Sequence, residues 1–218
     1  MKDICHTLQE KAYEVAEANK LLQETVTVTA KVLSTEEAIG NPEEDDLPLQ
    51  KGRDRLMEAE FLYKPIGVIR SEHHVAAKTP IQPAYAKGCK GRVEIFPEFA
   101  KGLQDLDGFS HVYLIYHLHQ AGSVKLTVKP FLQDVERGVF ATRAPCRPNA
   151  IGLSVVDLVG CEGNVLYLEG VDILDGTPLL DIKPYTARFD RIETTRNGWQ
   201  DEVDEETAQR RGRRGYEG

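Results

Sequence analysis

From Tyr63 onward the chain is a succession of short β-branched or aromatic runs: YKPIGVIRS, GRVEIFPEF, SHVYLIYHLHQ, VKLTVKP, GVFATR, IGLSVVDLVG, NVLYLEGVDIL and PLLDIKPY. Gly, Pro and Asn punctuate them, which is the pattern of strands joined by turns. So many strands leave many edges, and an open edge is a row of unpaired backbone groups that recruits other chains. Closure removes the edges, so the expected fold is mainly β, a closed or nearly closed β-barrel. FAKGLQDLDG alone suggests a short helix or helical turn, and Gly160–Asn164 a hairpin connection.

The first sixty residues read differently. Ile4, Leu8, Lys11, Val15, Ala18 and Leu22 step by four and three, which predicts an amphipathic helix with one polar interruption. EEAIGNPEEDDLPLQKGRDR then breaks the periodicity, and a boundary is expected there. The domains expected are a helical acidic extension of unassigned function over 1–60, the barrel over 61–193 and a polar tail over 194–218. The net charge of −8 is concentrated in the extension, where residues 1–60 hold 7 Lys+Arg against 14 Asp+Glu; residues 61–190 hold 14 of each. A neutral barrel with local basic clusters can still hold RNA phosphates. The N-terminus lacks the basic and apolar regions of a signal peptide and no apolar run reaches spanning length, so no membrane and a cytoplasmic location are expected. The 4 cysteines are scattered without a C-x-x-C pair, which fits reduced thiols better than disulfides or structural zinc.

The stretch ATRAPCRPNAIGLS carries the densest chemistry. Its two prolines extend the residues before them and leave little entropy to lose, while Arg143 and Arg147 supply two guanidinium forks. A stiff loop so equipped suits an anionic or carboxylate-bearing ligand. In VDILDGTPLLDIKPY, Asp175-Gly176 is a tight-turn signal whose backbone can approach a ligand closely, and Asp181 and Lys183 share one strand face. If SHVYLIYHLHQ is one strand, His111, Tyr113, Ile115, His117 and His119 share a face. His111 and His117 are then about 20 Å apart and cannot share an ion. A metal held by His117 and His119 would lack a carboxylate motif, so no metal is expected and hydrogen bonding at strand ends is preferred. Neither a Walker loop nor G-x-G-x-x-G after a strand occurs, which disfavours P-loop and Rossmann nucleotide sites.

GVFATRAPCRPNAIGLSVVDL followed by GVDILDGTPLLDIKPY, with KTPIQP and DGFSHVYLIY before them, resembles the TsaA-like (TrmO-type) tRNA methyltransferases over about residues 62–190. The resemblance implies a non-Rossmann barrel that binds S-adenosylmethionine near the interface of a homodimer. It implies methylation of N6 on an adenosine beside the tRNA anticodon that already carries a threonylcarbamoyl group. Carried over by motif, the cofactor residues are Pro80, Ile81, Gln82, Ser110, His111, Arg143, Leu153, Asp175, Gly176, Thr177 and Pro178. Arg147, Asn149 and Tyr185 become candidates for RNA or interface contacts, with Asp181 and Lys183 as catalytic candidates. Ala144, Ala150 and Ile81 depart from the family's usual Ser, Pro and Arg, which bears on the RNA substrate more than on the cofactor. Two other readings stay open: a sensor or scaffold that binds S-adenosylmethionine or a nucleoside without methyl transfer, and a metal-dependent enzyme built on His117 and His119.

Overall fold

A computed structural model describes residues 61–214, so the helix expected over Ile4–Leu22, the acidic extension and its boundary lie outside the described residues. The chain divides into two compact units, Met1–Lys64 and Pro65–Gly218, and the barrel belongs to the second. Among the described residues, six antiparallel strands close it: β1 (Gly67–Ser71), β2 (Lys90–Ile95), β3 (His111–His117), β6 (Ile151–Glu162), β7 (Val165–Glu169) and β8 (Thr177–Pro184), in the order β1-β2-β7-β6-β3-β8. The remaining two strands, β4 (Thr127–Val128) and β5 (Arg137–Gly138), form a separate two-stranded ribbon. VKLTVKP and GVFATR thus contribute little strand, because after Gly138 the chain enters a 3-10 turn, Val139–Ala141, instead of continuing extended. FAKGLQDLDG forms the 3-10 turns Pro97–Leu103 and Leu106–Gly108, as its pattern suggests.

Strand β3 shows why the sequence chooses this fold. Val112, Leu114 and Tyr116 point inward and are buried, whereas His111, Tyr113, Ile115 and His117 alternate outward and are partly exposed. β6 bonds along its whole length, from His111↔Asp157 to His117↔Ile151, and β8 bonds its other side from Val112↔Pro184 to Tyr116↔Leu179. The strand stops at His117, where the Leu118 N–H donates to the Ala150 carbonyl at 2.8 Å and the His119 N–H to the His117 carbonyl at 2.8 Å. His119 therefore leaves the outer face on which an uninterrupted strand would place it.

The barrel interior is mostly aliphatic, with Ile69, Val93, Leu114, Leu166 and Leu179 fully buried, yet it encloses a polar chain. Ser154 Oγ donates to Asp172 Oδ1 at 2.6 Å. With that proton committed, the Tyr116 hydroxyl is the donor to Ser154 Oγ at 3.1 Å. Room for Tyr116 comes from Gly152, directly opposite it, where a Cβ would stand 2.1 Å from the phenol ring. Burial, opposed by the Ser154 bond, raises the Asp172 carboxyl from the ordinary 3.8 to about 7. The charge on Asp172 adds to burial in raising the Tyr116 phenol.

Strand direction sorts the loops onto two ends. The rim carries loops 72–89, 118–150 and 170–176; the base carries 96–110, the hairpin turn at Gly163-Asn164 and the chain after Pro184. Beyond β8 come a four-residue helical turn, α1 (Ala187–Asp190), and a helix, α2 (Glu205–Arg213), within the segment read as a polar tail. Asp204 caps α2 by accepting the Thr207 N–H at 2.8 Å, and the basic residues Arg210, Arg211 and Arg213 complement the dipole at its end. α2 reaches the rim: the Ile81 N–H donates to the Gly212 carbonyl at 3.0 Å, and a Cβ on Gly212 would stand 2.6 Å from the Tyr85 ring. Arg211 grips Asp134 with two bonds, at 2.9 and 3.2 Å, and Trp199 donates to the Ala141 carbonyl at 2.7 Å.

Gly152→Ala is expected to displace the Tyr116 ring and lower stability by about 1–3 kcal/mol, the usual cost of overpacking; an unchanged urea midpoint would contradict the close packing. A second expectation concerns pH. The carboxyl of Asp172 is raised on folding, so its neutral form is the favoured one; its stabilisation is complete below pH 4 and is lost as pH rises through 7. Asp172→Asn should therefore gain on the native protein by roughly 2–3 kcal/mol between pH 5 and 8. Parallel pH profiles of the two melting curves would refute this.

Candidate functional site

Two loops with no sequence proximity meet over the rim. Pro80 and Ile81 lead into Gln82, which precedes the 3-10 turn Pro83–Tyr85, where a proline suits the first position because its missing N–H would have no helical partner. Gln82 Oε1 accepts from Arg143 Nη1 across this gap. Arg143 is exposed, yet its positive field reaches inward and lowers both the Asp172 carboxyl and the Tyr116 phenol against the dominant effect of burial. A guanidinium thus stands above a buried carboxyl that titrates near neutrality.

Arg147 holds this loop in shape. Its Nη1 donates to the carbonyls of Thr142 at 2.8 Å and Val139 at 3.2 Å, and its guanidinium lies 5.8 Å from the centre of the Phe140 ring. Thr142 adds a local turn, donating to the Val139 carbonyl at 2.9 Å and accepting the Ala144 N–H at 3.2 Å. Of the two guanidinium forks read from the sequence, one faces outward and the other fastens its own backbone. Asn149 is exposed, and its carbonyl accepts the Ile151 N–H at 2.8 Å as β6 begins.

The DGTP turn forms the third wall of the rim. Gly176 has φ +77, the left-handed region that glycine adopts without strain. Asp175 Oδ1 accepts the Ser71 N–H at 3.0 Å, and Oδ2 lies 3.8 Å from His74 Nδ1. Thr177 is buried and donates to the Leu174 carbonyl at 2.6 Å, while its Oγ1 lies 3.3 Å from His119 Nδ1. Burial and the neighbouring His117 lower the His119 imidazole, favouring its neutral form, and Asp175 opposes them. Pro178 is also buried, so this turn offers its backbone and Asp175 to the rim more than its hydroxyl.

Ser110, His111 and Tyr185 lie at the base instead. Ser110 Oγ is 2.8 Å from His111 Nδ1, His111 Nε2 is 2.8 Å from Asp157, and the Tyr185 ring packs 6.1 Å from His111 and 5.7 Å from Tyr113. Five residues of extended strand separate His111 from Tyr116, about 17 Å. Lys183 and Asp181 pair with each other at 2.9 Å on β8, and Leu153 is exposed on the barrel wall between the two ends. The chain therefore gathers Pro80, Ile81, Gln82, Arg143, Asp175, Gly176, Thr177 and Pro178 at the rim and leaves Ser110 and His111 apart. Sequence reading missed Tyr116, Ser154 and Asp172. The signals were present: alternation from Gly152 turns Ser154 inward, and Asp172 interrupts the apolar run of GVDIL.

Comparison with known proteins identifies the family. The family described as tRNA-methyltransferase O N-terminal domain matches residues 68–191. A probable S-adenosyl-L-methionine-binding protein of Pyrococcus abyssi is 55% identical over 137 residues, covering 63% of this chain and 74% of that protein. The mouse tRNA (adenine(37)-N6)-methyltransferase is 42% identical over 142 residues, covering 62% of this chain and 33% of that protein, so the chain spans about a third of the mouse protein's length. A crystal structure of TrmO from Pseudomonas aeruginosa superposes with a TM-score of 0.53 at 43% identity, covering 64% of this chain and 62% of that one. By motif, by closed barrel and by these matches, the chain belongs to the tRNA-methyltransferase O family.

Proposed function

We propose that this chain transfers a methyl group from S-adenosylmethionine to N6 of an adenosine beside the tRNA anticodon, one that already carries a threonylcarbamoyl group, and that it acts as a homodimer in the cytoplasm. The observation that carries the reading is the Gln82–Arg143 contact above the buried Tyr116–Ser154–Asp172 chain, in a member of this family. The donor set suits the cofactor. Arg143 offers a carboxylate partner, Gln82 an amide, and the left-handed turn at Gly176 a close backbone approach. S-adenosylmethionine supplies an electrophilic methyl group. Among the described residues, no helix is long and apolar enough to cross a membrane.

The residues contribute mainly by position. The exocyclic N6 is a weak nucleophile because its lone pair is delocalised into the ring, and alignment behind the reacting carbon can lower a barrier by about 7–11 kcal/mol in favourable cases. Arg147 and the two prolines keep the Arg143 loop stiff, so little entropy remains to be lost on binding. A loop base can splay out to stack on an aromatic ring without a duplex being opened, and Tyr113 and Tyr185 present such rings at the base. After attack, N6 must give up a proton; Asp181, half-buried beside Lys183, is the acceptor we assign.

The divided site supports the dimeric reading. Ile151 and Leu153 are exposed on the outer wall of β6, next to Ile115 of β3. A two-fold axis perpendicular to these strands would reverse one barrel against the other. The base of one chain would then lie beside the rim of its partner, joining Ser110, His111 and Tyr185 to Gln82 and Arg143.

Incubation with isotopically labelled S-adenosylmethionine and bulk tRNA from cells lacking the protein should place label on N6-threonylcarbamoyladenosine, read by nucleoside mass spectrometry. Cofactor binding without transfer to tRNA shown to contain that nucleoside would leave a sensor or scaffold. Arg143→Ala and His111→Ala should each abolish transfer, and mixing the two unfolded and refolded together should restore about a quarter of native activity, since half the dimers are mixed and each holds one intact shared site. Two inactive variants that stay inactive when mixed would place both residues in one chain's site.

A further inference from the structure

A cluster of metal-ligating side chains lies at the neck of one rim loop, outside the cofactor residues. A carboxylate oxygen of Glu72, a ring nitrogen of His73 and Cys89 Sγ all lie within 4.8 Å of one another. Glu72 and His73 follow β1 directly, and Cys89 immediately precedes β2. The cluster therefore spans the neck of loop 72–89, which carries Pro80, Ile81 and Gln82. Cys89 is fully buried and His73 is 4% exposed, whereas Glu72 faces solvent.

The surroundings orient the ligands. His73 Nε2 lies 2.9 Å from the Val171 carbonyl, which can only accept, so Nε2 carries the proton and the lone pair is on Nδ1. A histidine whose second nitrogen donates to a main-chain carbonyl is the arrangement that fixes tautomer and ring angle in metal sites. The same dipeptide secures Cys89: the Gly170 and Val171 N–H groups donate to the Cys89 carbonyl at 2.9 and 3.2 Å. Two of the three ligands are thus held by one turn, and the third, Glu72, is solvent-exposed on the side from which an ion would enter.

We propose that Glu72, His73 and Cys89 form a zinc site, with a water as fourth ligand on the Glu72 side. One thiolate, one imidazole and one carboxylate are a donor set that zinc accepts, and the soft sulfur disfavours magnesium and calcium. Zn–S of about 2.3 Å and Zn–N or Zn–O of about 2.0–2.1 Å put tetrahedral ligands about 3.5 Å apart, so closure needs movements of about 1 Å. Binding displaces the thiol proton to solvent. The ion would pin the two ends of the loop that presents Gln82. The cysteine pattern gave no sign of this site because only one cysteine takes part and its partners lie sixteen and seventeen positions earlier.

The test uses the full chain, stripped with a chelator and titrated first with Co²⁺ and then with Zn²⁺. One equivalent of Co²⁺ should produce a thiolate-to-cobalt charge-transfer band in the near ultraviolet, and Zn²⁺ should bleach it. Cys89→Ser should remove the band, with circular dichroism to verify its fold. Glu72→Gln, on the surface, should fold normally and weaken Zn²⁺ binding by about 10- to 100-fold or more. No stoichiometric uptake of either ion, uptake without the thiolate band, or a band that persists in Cys89→Ser would each overturn the proposal.

Discussion

Closure of the sheet through β3 is the constraint on which the rest depends. β3 pairs on one side with β6 and on the other with β8, so its seven residues have no freedom of register. A slip of one position would send Val112, Leu114 and Tyr116 outward and bring three charged or polar rings into the core. The same register puts Tyr116 opposite Gly152 and so decides where the Tyr116–Ser154–Asp172 chain can run. It also fixes which residues emerge at each end, His111 at the base and His117 at the rim.

The interior polar chain joins core and function. A barrel of this size could be filled with aliphatic groups alone, and burying a carboxyl is costly unless it is hydrogen-bonded or neutral. Asp172 meets both conditions through Ser154 and through its raised affinity for a proton. Arg143 approaches from outside and counteracts part of that effect, so the charge state of a core group responds to a rim residue. Anything that draws the guanidinium away, including an anionic ligand, shifts Asp172 further towards its neutral form.

Much of the fold was legible in the sequence because it rests on local chemistry. Alternation in HVYLIYH gave the faces of β3, and the punctuation of GCEGN gave the hairpin closed by Gly163, whose φ is +60. The extent of GVFATR was not legible, since its β-branched composition says nothing of the Arg147 bonds that draw carbonyls 139 and 142 together. For the site, motif resemblance named candidate residues one by one, and eight of them lie on the loops and strand end of the rim. It could not reveal that Ser110 and His111 sit at the other end, which depends on strand direction within a closed sheet. Nor could the role of residues 194–214 be read: polar composition conceals that Gly212 exists to admit the Tyr85 ring.

That C-terminal helix has a thermodynamic consequence. The contacts through Gly212, Arg211 and Trp199 bind loops 72–89 and 118–150, and none of them belongs to the barrel's ladder of hydrogen bonds. Detachment of α2 together with the turn that carries Trp199 is then a local opening whose free energy is smaller than that of global unfolding, and it loosens both rim loops while β3 stays paired on each side. The entrance to the site and the integrity of the barrel are set by separate equilibria. Selection can tune how often the rim opens by editing a few residues such as Trp199, Arg211 and Gly212, without altering a strand.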